Sequence, residues 1–188
     1  MAEATAHSLF TDFDINLFKS GKHYKLYEKF GSHIITLNGV EGTYFAVWAP
    51  SAKEVSVIGD FNFWKEGEYK LNVRWDQSGI WEGFIPNVGK GNLYKYKIRS
   101  HHNDIVTEKA DPYARRNEHP PKTASIIWED DYRWQDKDWM TIRNTKNALN
   151  APYSVYEVHL GSWKQKVEEG RFLSYYEMAD ELVSYVKE

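Results

Sequence analysis

Asn92-Leu93-Tyr94-Lys95-Tyr96-Lys97-Ile98-Arg99 is the stretch that decides the fold class. Tyr94, Tyr96 and Ile98 fall on one side of an extended chain, and Lys95, Lys97 and Arg99 on the other. A period of two puts one face on a core and the other in water, which describes a half-buried strand. The stretches around it are built alike. Downstream, the turn His101-His102-Asn103-Asp104 leads into a second extended run over residues 105–108. Upstream, residues 80–85 follow Asp76-Gln77-Ser78-Gly79 and close at Pro86-Asn87. Residues 55–58 stop at Gly59-Asp60, and residues 43–49 at Pro50. Many short strands at this spacing predict an antiparallel sandwich or barrel, and a mainly β, immunoglobulin-like sandwich is the favoured form.

The flanks differ in character. Residues 1–31 form a polar and aromatic extension, with a short helix expected over 24–30 before Gly31 ends it. The sandwich is expected to span 32–128. Residues 110–150 are irregular and charged, with Pro112, Pro120 and Pro121 among them, and a linker over 129–152 closes that region. After Pro152, residues 153–160 read as an apolar strand. Ser174-Tyr175-Tyr176-Glu177 then has the form of a capping box, followed at helical spacing by Met178, Ala179, Leu182, Tyr185 and Val186. A strand followed by one amphipathic helix is the opening of an α/β domain, so 153–188 is expected to be the first βα unit of a truncated α/β domain.

Composition narrows the function classes. With 41% hydrophobic and 27% charged residues, the 188-residue chain belongs with globular proteins. A net charge of −3 offers no electrostatic reason for a nucleic-acid partner. The absence of cysteine removes disulfides and thiolate metal sites, as expected in a reducing cytoplasm. No run approaches the ~20 apolar residues of a membrane span, and residues 1–10 lack the pattern of a secretory signal. No metal or cofactor is expected; His101-His102-Asn103-Asp104 reads as a polar turn rather than a ligand set. Aromatics reach 16%, with 8 Trp and 13 Tyr. Such rings suit partners that are apolar on one side and wet on the other, and sugars are partners of that kind.

Several motifs follow in a fixed order. They are Tyr27-Glu28-Lys29-Phe30-Gly31-Ser32-His33, Phe45-Ala46-Val47-Trp48-Ala49-Pro50 and Val55-Ser56-Val57-Ile58-Gly59-Asp60-Phe61-Asn62-Phe63-Trp64, then Gly79-Ile80-Trp81-Glu82 and Tyr94-Lys95-Tyr96-Lys97-Ile98. Ala110-Asp111-Pro112-Tyr113-Ala114, Thr123-Ala124-Ser125 and Tyr156-Glu157-Val158-His159-Leu160-Gly161-Ser162-Trp163 complete the series. In this order the chain resembles bacterial-type glycogen branching enzymes of the α-amylase superfamily, from about residue 22 to the end. The Gly-Asp-Phe-Asn-x-Trp run alone is shared with debranching enzymes and kinase regulatory subunits. Pro120 departs from the pattern, since many relatives carry an arginine there.

The resemblance implies a glycogen-binding-type sandwich ahead of a catalytic (β/α)8 barrel. It implies cleavage of an α-1,4 glucan, a covalent glycosyl-enzyme and transfer to a 6-hydroxyl. The carboxylates for that chemistry sit in the family on later barrel strands, so no catalytic residue is carried over and this chain alone is expected to be inactive. The implied partners are α-glucans, weakly bound, and the barrel itself. Trp64 and Lys95 are the substrate-binding candidates: Trp64 either stacks on a glucose ring or packs against barrel or sandwich edge, and Lys95 either contacts glucan or lies on a solvated strand face. Trp48 and Trp81 are expected in the core, Asp60 and Asn62 as turn formers, and Glu157 and His159 on one face of the 153–160 strand. The alternatives are a stand-alone glucan-binding or regulatory module, or the front of a debranching or trehalose-releasing relative.

Overall fold

The structure, a computed structural model, describes residues 3–188; the first two residues of the N-terminal extension lie outside the described residues. It divides into two compact units, one up to Tyr132 and one from Arg133 onward. In the first unit, helix α1 (Asp12–Lys19) precedes the strands β1 (Gly31–Leu37), β2 (Val40–Trp48), β3 (Ala52–Gly59), β4 (Asn72–Val73), β5 (Ile80–Pro86), β6 (Leu93–Ser100), β7 (Val106–Lys109), β8 (Arg116–Asn117) and β9 (Ser125–Ile126). Among the described residues these make two antiparallel sheets, one in the order β1-β2-β5-β4 and one in the order β3-β6-β9-β8, with β7 also on β6. The mainly antiparallel β architecture expected from the alternation is present.

The sheets meet through one face each. Phe45, Val47, Trp81 and Ile85 of the first sheet share a buried cluster with Val55, Val57, Tyr94 and Tyr96 of the second. Tyr94 and Tyr96 are fully buried, while Lys95 between them and Lys97 after them are only partly so. The opposite face of the first sheet is buried as well: Phe10, Ile15 and Phe30 pack with Tyr44, Ala46 and Ile80. Strand β2 therefore lies between two apolar layers, which is why its sequence runs apolar rather than alternating.

That second cover is where expectation and structure differ most. The expected helix over 24–30 is only a 3-10 turn, Leu26–Glu28. The helix of the extension is α1 instead, started by a capping box in which Thr11 and Asp14 exchange hydrogen bonds. Asp14 Oδ2 accepts from Thr11 N at 2.8 Å and from Thr11 Oγ1 at 2.8 Å, and the carboxylate also meets His23 at 3.0 Å and Lys29 at 3.2 Å. Burial works to raise its pKa, but the bonds from Thr11, His23 and Lys29 overcome this and hold it well below the ordinary carboxylate value.

A second buried carboxylate ties the later chain to the core. Asp111 accepts from Tyr94 Oη at 2.6 Å, Tyr96 Oη at 3.1 Å and Tyr113 N at 2.7 Å, and its own N–H donates to Ser125 Oγ at 2.9 Å. Burial pushes its pKa up. Burial and the adjacent Asp111 likewise push up both tyrosines.

The second unit corrects the expected βα unit. Its helix is present as α3 (Tyr175–Lys187), capped by Ser174 and Glu177 as the sequence indicates. The strand is absent: residues 153–160 form no ladder. A strand exists through its neighbours' hydrogen bonds, and among the described residues none pairs with this run. Its Tyr156 instead lies 5.6 Å from Tyr185 of α3, and Trp163 donates to Tyr156 Oη at 3.1 Å. Helix α2 (Lys137–Lys146) and the short pair β10 (Gln165–Lys166) and β11 (Arg171–Phe172) complete the unit. Among the described residues no helix is long and apolar enough to cross a membrane.

Replacing Asp111 by Ala removes the carboxylate acceptor shared by two buried phenol hydroxyls, leaving Tyr96 only its longer bond to Ala46 O at 3.3 Å, and an unfolding free energy lower by roughly 2–4 kcal/mol is expected in urea titrations. Asp14 sets a pH response. Its native pKa lies below its unfolded value of 3.8, so the unfolded chain binds the proton more readily and the contribution of Asp14, present at neutral pH, is lost on acidification below about pH 4. Asp14→Asn should be less stable than wild type at pH 7, with the gap narrowing progressively as the pH falls below about 4 and the wild type loses that advantage.

Candidate functional site

The Gly-Asp-Phe-Asn run follows β3 and is folded by Asn62. This buried side chain accepts from Gly59 N at 2.9 Å and donates to Lys65 O at 3.3 Å and Val57 O at 3.5 Å. The backbone closes on itself as Trp64 N donates to Gly59 O at 2.8 Å. Glycine is required at 59 because a Cβ there would meet Leu93 O at 2.2 Å. Phe63 and Trp64 are both left-handed, with φ of 55° and 60°, a conformation that costs an L-residue roughly 1–2 kcal/mol. The Asn62 bonds and the Trp64–Gly59 closure hold the chain there.

The strained pair points outward. Phe63 is 82% exposed, with Lys65 Nζ 5.9 Å from its ring centre, and Trp64 is 38% exposed. Asn62 is a turn former bonding local backbone, as its residue type suggests. Asp60 instead accepts from the Asn92 side chain at 3.0 Å, stitching the loop to the start of β6.

Lys95 lies one ladder step from this loop. It faces Ile58 in the register, next to Gly59, whose carbonyl receives Trp64 N–H. On the same strand Lys97 pairs with Glu66 at 3.3 Å and Glu108 at 3.5 Å, and Arg99 with Glu66 at 3.0 Å. Among the described residues the Lys95 ammonium has no ion pair or hydrogen bond, so it remains available beside the Trp64 loop. The structure thus brings both candidates to one end of the β3–β6 ladder.

Trp81 is in the core at 8% exposure, but Trp48 is not: it is 56% exposed. Along β2, Phe45 and Val47 face the sandwich core, and Tyr44, Ala46 and Trp48 face the α1 side. At Trp48 that cover ends, with Phe18 of α1 touching the indole edge-on at 6.1 Å. Its Nε1 donates to Ser78 O at 2.9 Å, fixing the ring against the β4–β5 hairpin.

A family model matches this sandwich. The model of carbohydrate-binding module 48, the isoamylase N-terminal domain, matches residues 29–114. Over residues 29–114 the sandwich is similar to that module. The chain as a whole is 49% identical over 178 residues to the 1,4-alpha-glucan branching enzyme GlgB of Albidiferax ferrireducens, covering 95% of this chain and 28% of that protein. It is 50% identical over 184 residues to GlgB of Gloeobacter violaceus, covering 96% of this chain and 25% of the relative. The chain therefore spans little more than a quarter of the curated relatives it matches. A crystal structure of apo pullulanase from Klebsiella pneumoniae aligns with a TM-score of 0.43 at 23% identity, over 53% of this chain and 11% of the other.

Trp64 and Trp48 both stand on built supports, Trp64 on the Asn62 loop and Trp48 on Ser78. Sequence reading found the first by its motif and missed the second, because a pattern of alternation does not show where a covering helix stops. His101-His102-Asn103-Asp104 is a turn, with left-handed Asn103 and Asp104 and an ion pair from Asp104 to Lys53 at 2.9 Å. Glu157 and His159 do not share a strand face, since no strand forms there; His159 Nδ1 is bonded to Ser162 Oγ at 2.6 Å. No catalytic role was expected of either.

Asn62→Ala leaves Gly59 N and two carbonyls without their side-chain partner and should cost about 2 kcal/mol. With the loop released, the Trp64 indole resonance should move in two-dimensional NMR while that of buried Trp81 stays in place.

Proposed function

We propose that this chain is the glucan-associating N-terminal portion of a 1,4-alpha-glucan branching enzyme. In this reading the whole protein cleaves an α-1,4 glucan and transfers the segment to a 6-hydroxyl. The sandwich is of immunoglobulin-like type, its partner is the catalytic barrel, and the unit from Arg133 onward leads into that barrel. The 188 residues themselves associate with glucan and perform no transfer. The observation that carries this is Trp64, held outward by a strained, fully bonded loop beside the unpaired Lys95, in a sandwich similar to carbohydrate-binding module 48.

The physical roles follow from the residue types. The C–H face of a glucose ring lies on the Trp64 indole, where apolar contact is gained without desolvating the sugar hydroxyls. Lys95 donates from its ammonium to a hydroxyl oxygen of the same or the next ring. Trp48 on its own rim, beside Pro50 and the β4–β5 hairpin, provides a second ring surface of the same kind. Contacts this few give millimolar affinity, about 4 kcal/mol, which suits a module that keeps a polymer near a catalytic barrel rather than one that captures it.

Titration of the 188-residue chain with maltoheptaose, followed by indole NMR signals, tests the reading. Saturable shifts at Trp64 are expected, with Trp64→Ala weakening binding about tenfold and Lys95→Ala about threefold. Equal affinity in wild type and Trp64→Ala would remove Trp64 as a platform. Incubation with amylose should leave the iodine absorbance unchanged; a protein-dependent fall would show that transfer chemistry resides in these residues.

A further inference from the structure

The first sheet carries another place with sugar-binding chemistry, on its outer face and separate from the Trp64 loop of the second sheet. A groove of about 370 Å³ is lined by His7, Ser8, Asn72, Arg74, Trp75 and Glu82, among others. Glu82 faces away from the sandwich core, opposite Ala46 and Asn72 in the ladders, whereas its neighbour Trp81 faces inward. The N-terminal residues cross beside it, with Thr5 and Phe84 exchanging both backbone hydrogen bonds at 2.7 and 2.9 Å.

The floor of the groove is built and charged. The side chains of Arg74 and Glu82 are both more than nine-tenths buried and meet at 2.7 Å. Arg74 Nη1 also donates to Ser8 Oγ at 2.5 Å, and Nε to Asp76 Oδ2 at 2.8 Å. Its second terminal nitrogen, Nη2, has no partner among the described residues and is not sealed from solvent. One cation is thus matched by two carboxylates, Glu82 and Asp76, and no surplus positive charge is left to attract a phosphate or other anion. What the floor offers is fixed donors and acceptors for a neutral polyol.

Above it stands Trp75, 83% exposed, on a hairpin that is fastened from several sides. Arg74 N donates to Ile80 O at 2.9 Å and Ser78 N to Asp76 Oδ1 at 2.9 Å. Lys19 of α1 donates to Asp76 O at 2.5 Å, and Trp48 to Ser78 O at 2.9 Å. An indole face presented to water on a rigid support needs little ordering to receive a ring. A solvated surface loop would not require an Arg–Asp–Glu–Ser network beneath it.

We propose that Trp75 and the Arg74–Glu82 groove form a further α-glucan subsite, in which one glucose ring lies on the Trp75 face and its hydroxyls exchange hydrogen bonds with Arg74 Nη2 and Asn72. The inference rests on the glucan reading above and extends it to the outer face of the first sheet. It makes the module at least bivalent toward a polymer, so that long chains bind more tightly than short ones.

Each tryptophan has its own indole resonance, so the wild-type chain titrated with maltoheptaose reports the subsites separately. Saturable movement of the Trp75 signal is expected, and it should persist in Trp64→Ala and in Trp48→Ala. Trp75→Ala should weaken the residual binding of a Trp64→Ala chain about tenfold, while Trp75→Tyr retains most of it. Being exposed, Trp75 can be replaced with no change in urea midpoint, which separates lost binding from lost folding. A stationary Trp75 signal with a moving Trp64 or Trp48 signal overturns this subsite and leaves the glucan reading standing. If no indole moves at saturating maltoheptaose, both fall.

Discussion

Burial of β2 on both faces is the constraint on which the layering of this unit depends. Its Phe45 and Val47 require a second sheet on one side, and its Tyr44 and Ala46 require a cover on the other. The N-terminal segment and α1 supply that cover, which makes residues 9–30 part of the folded unit rather than an appendage. Asp111 does the corresponding work in the second sheet: by accepting from Tyr94 and Tyr96 it draws the chain after β7 back over β6. Together they fix where the two sheets end, and the exposed aromatics stand at those ends.

Much of this was legible in the residues. The alternation at 94–99 placed Tyr94 and Tyr96 in the core, and the Ser174–Glu177 box marked the start of α3. Helix α1 was not read, because its box closes with Asp14 instead of the usual Glu or Gln and its eight residues are too few for a clear periodic stripe. Helix α2 has no apolar stripe at all and buries none of its residues. The run at 153–160 has the composition of a strand, but composition cannot supply the hydrogen-bonding neighbour that makes one.

The candidate site was half legible for a related reason. A local motif, Gly-Asp-Phe-Asn-x-Trp, carries its own folding instructions, since Asn62 and Gly59 act within a few residues of Trp64. Trp48 and Trp75 are defined by distant partners: the end of α1, the carbonyl of Ser78, and a network joining Ser8, Arg74, Asp76 and Glu82 across 74 positions of sequence. Tertiary placement of that kind is written in no single stretch. It also explains why the three tryptophans differ in support although all three face solvent.

The pairing of Thr5 with Phe84 bears on how the molecule avoids itself. Strand β4 is only two residues long and covers β5 at Glu82 and Trp81, leaving the backbone at Phe84 open. An uncovered edge of that kind is a template for another chain. Thr5 fills it from within the same molecule, with both hydrogen bonds made. The N-terminal arm is thus a guard against edge-to-edge assembly as well as a cover for the core, and the residues around Thr5 protect solubility at a position where a sequence would ordinarily be judged free to vary.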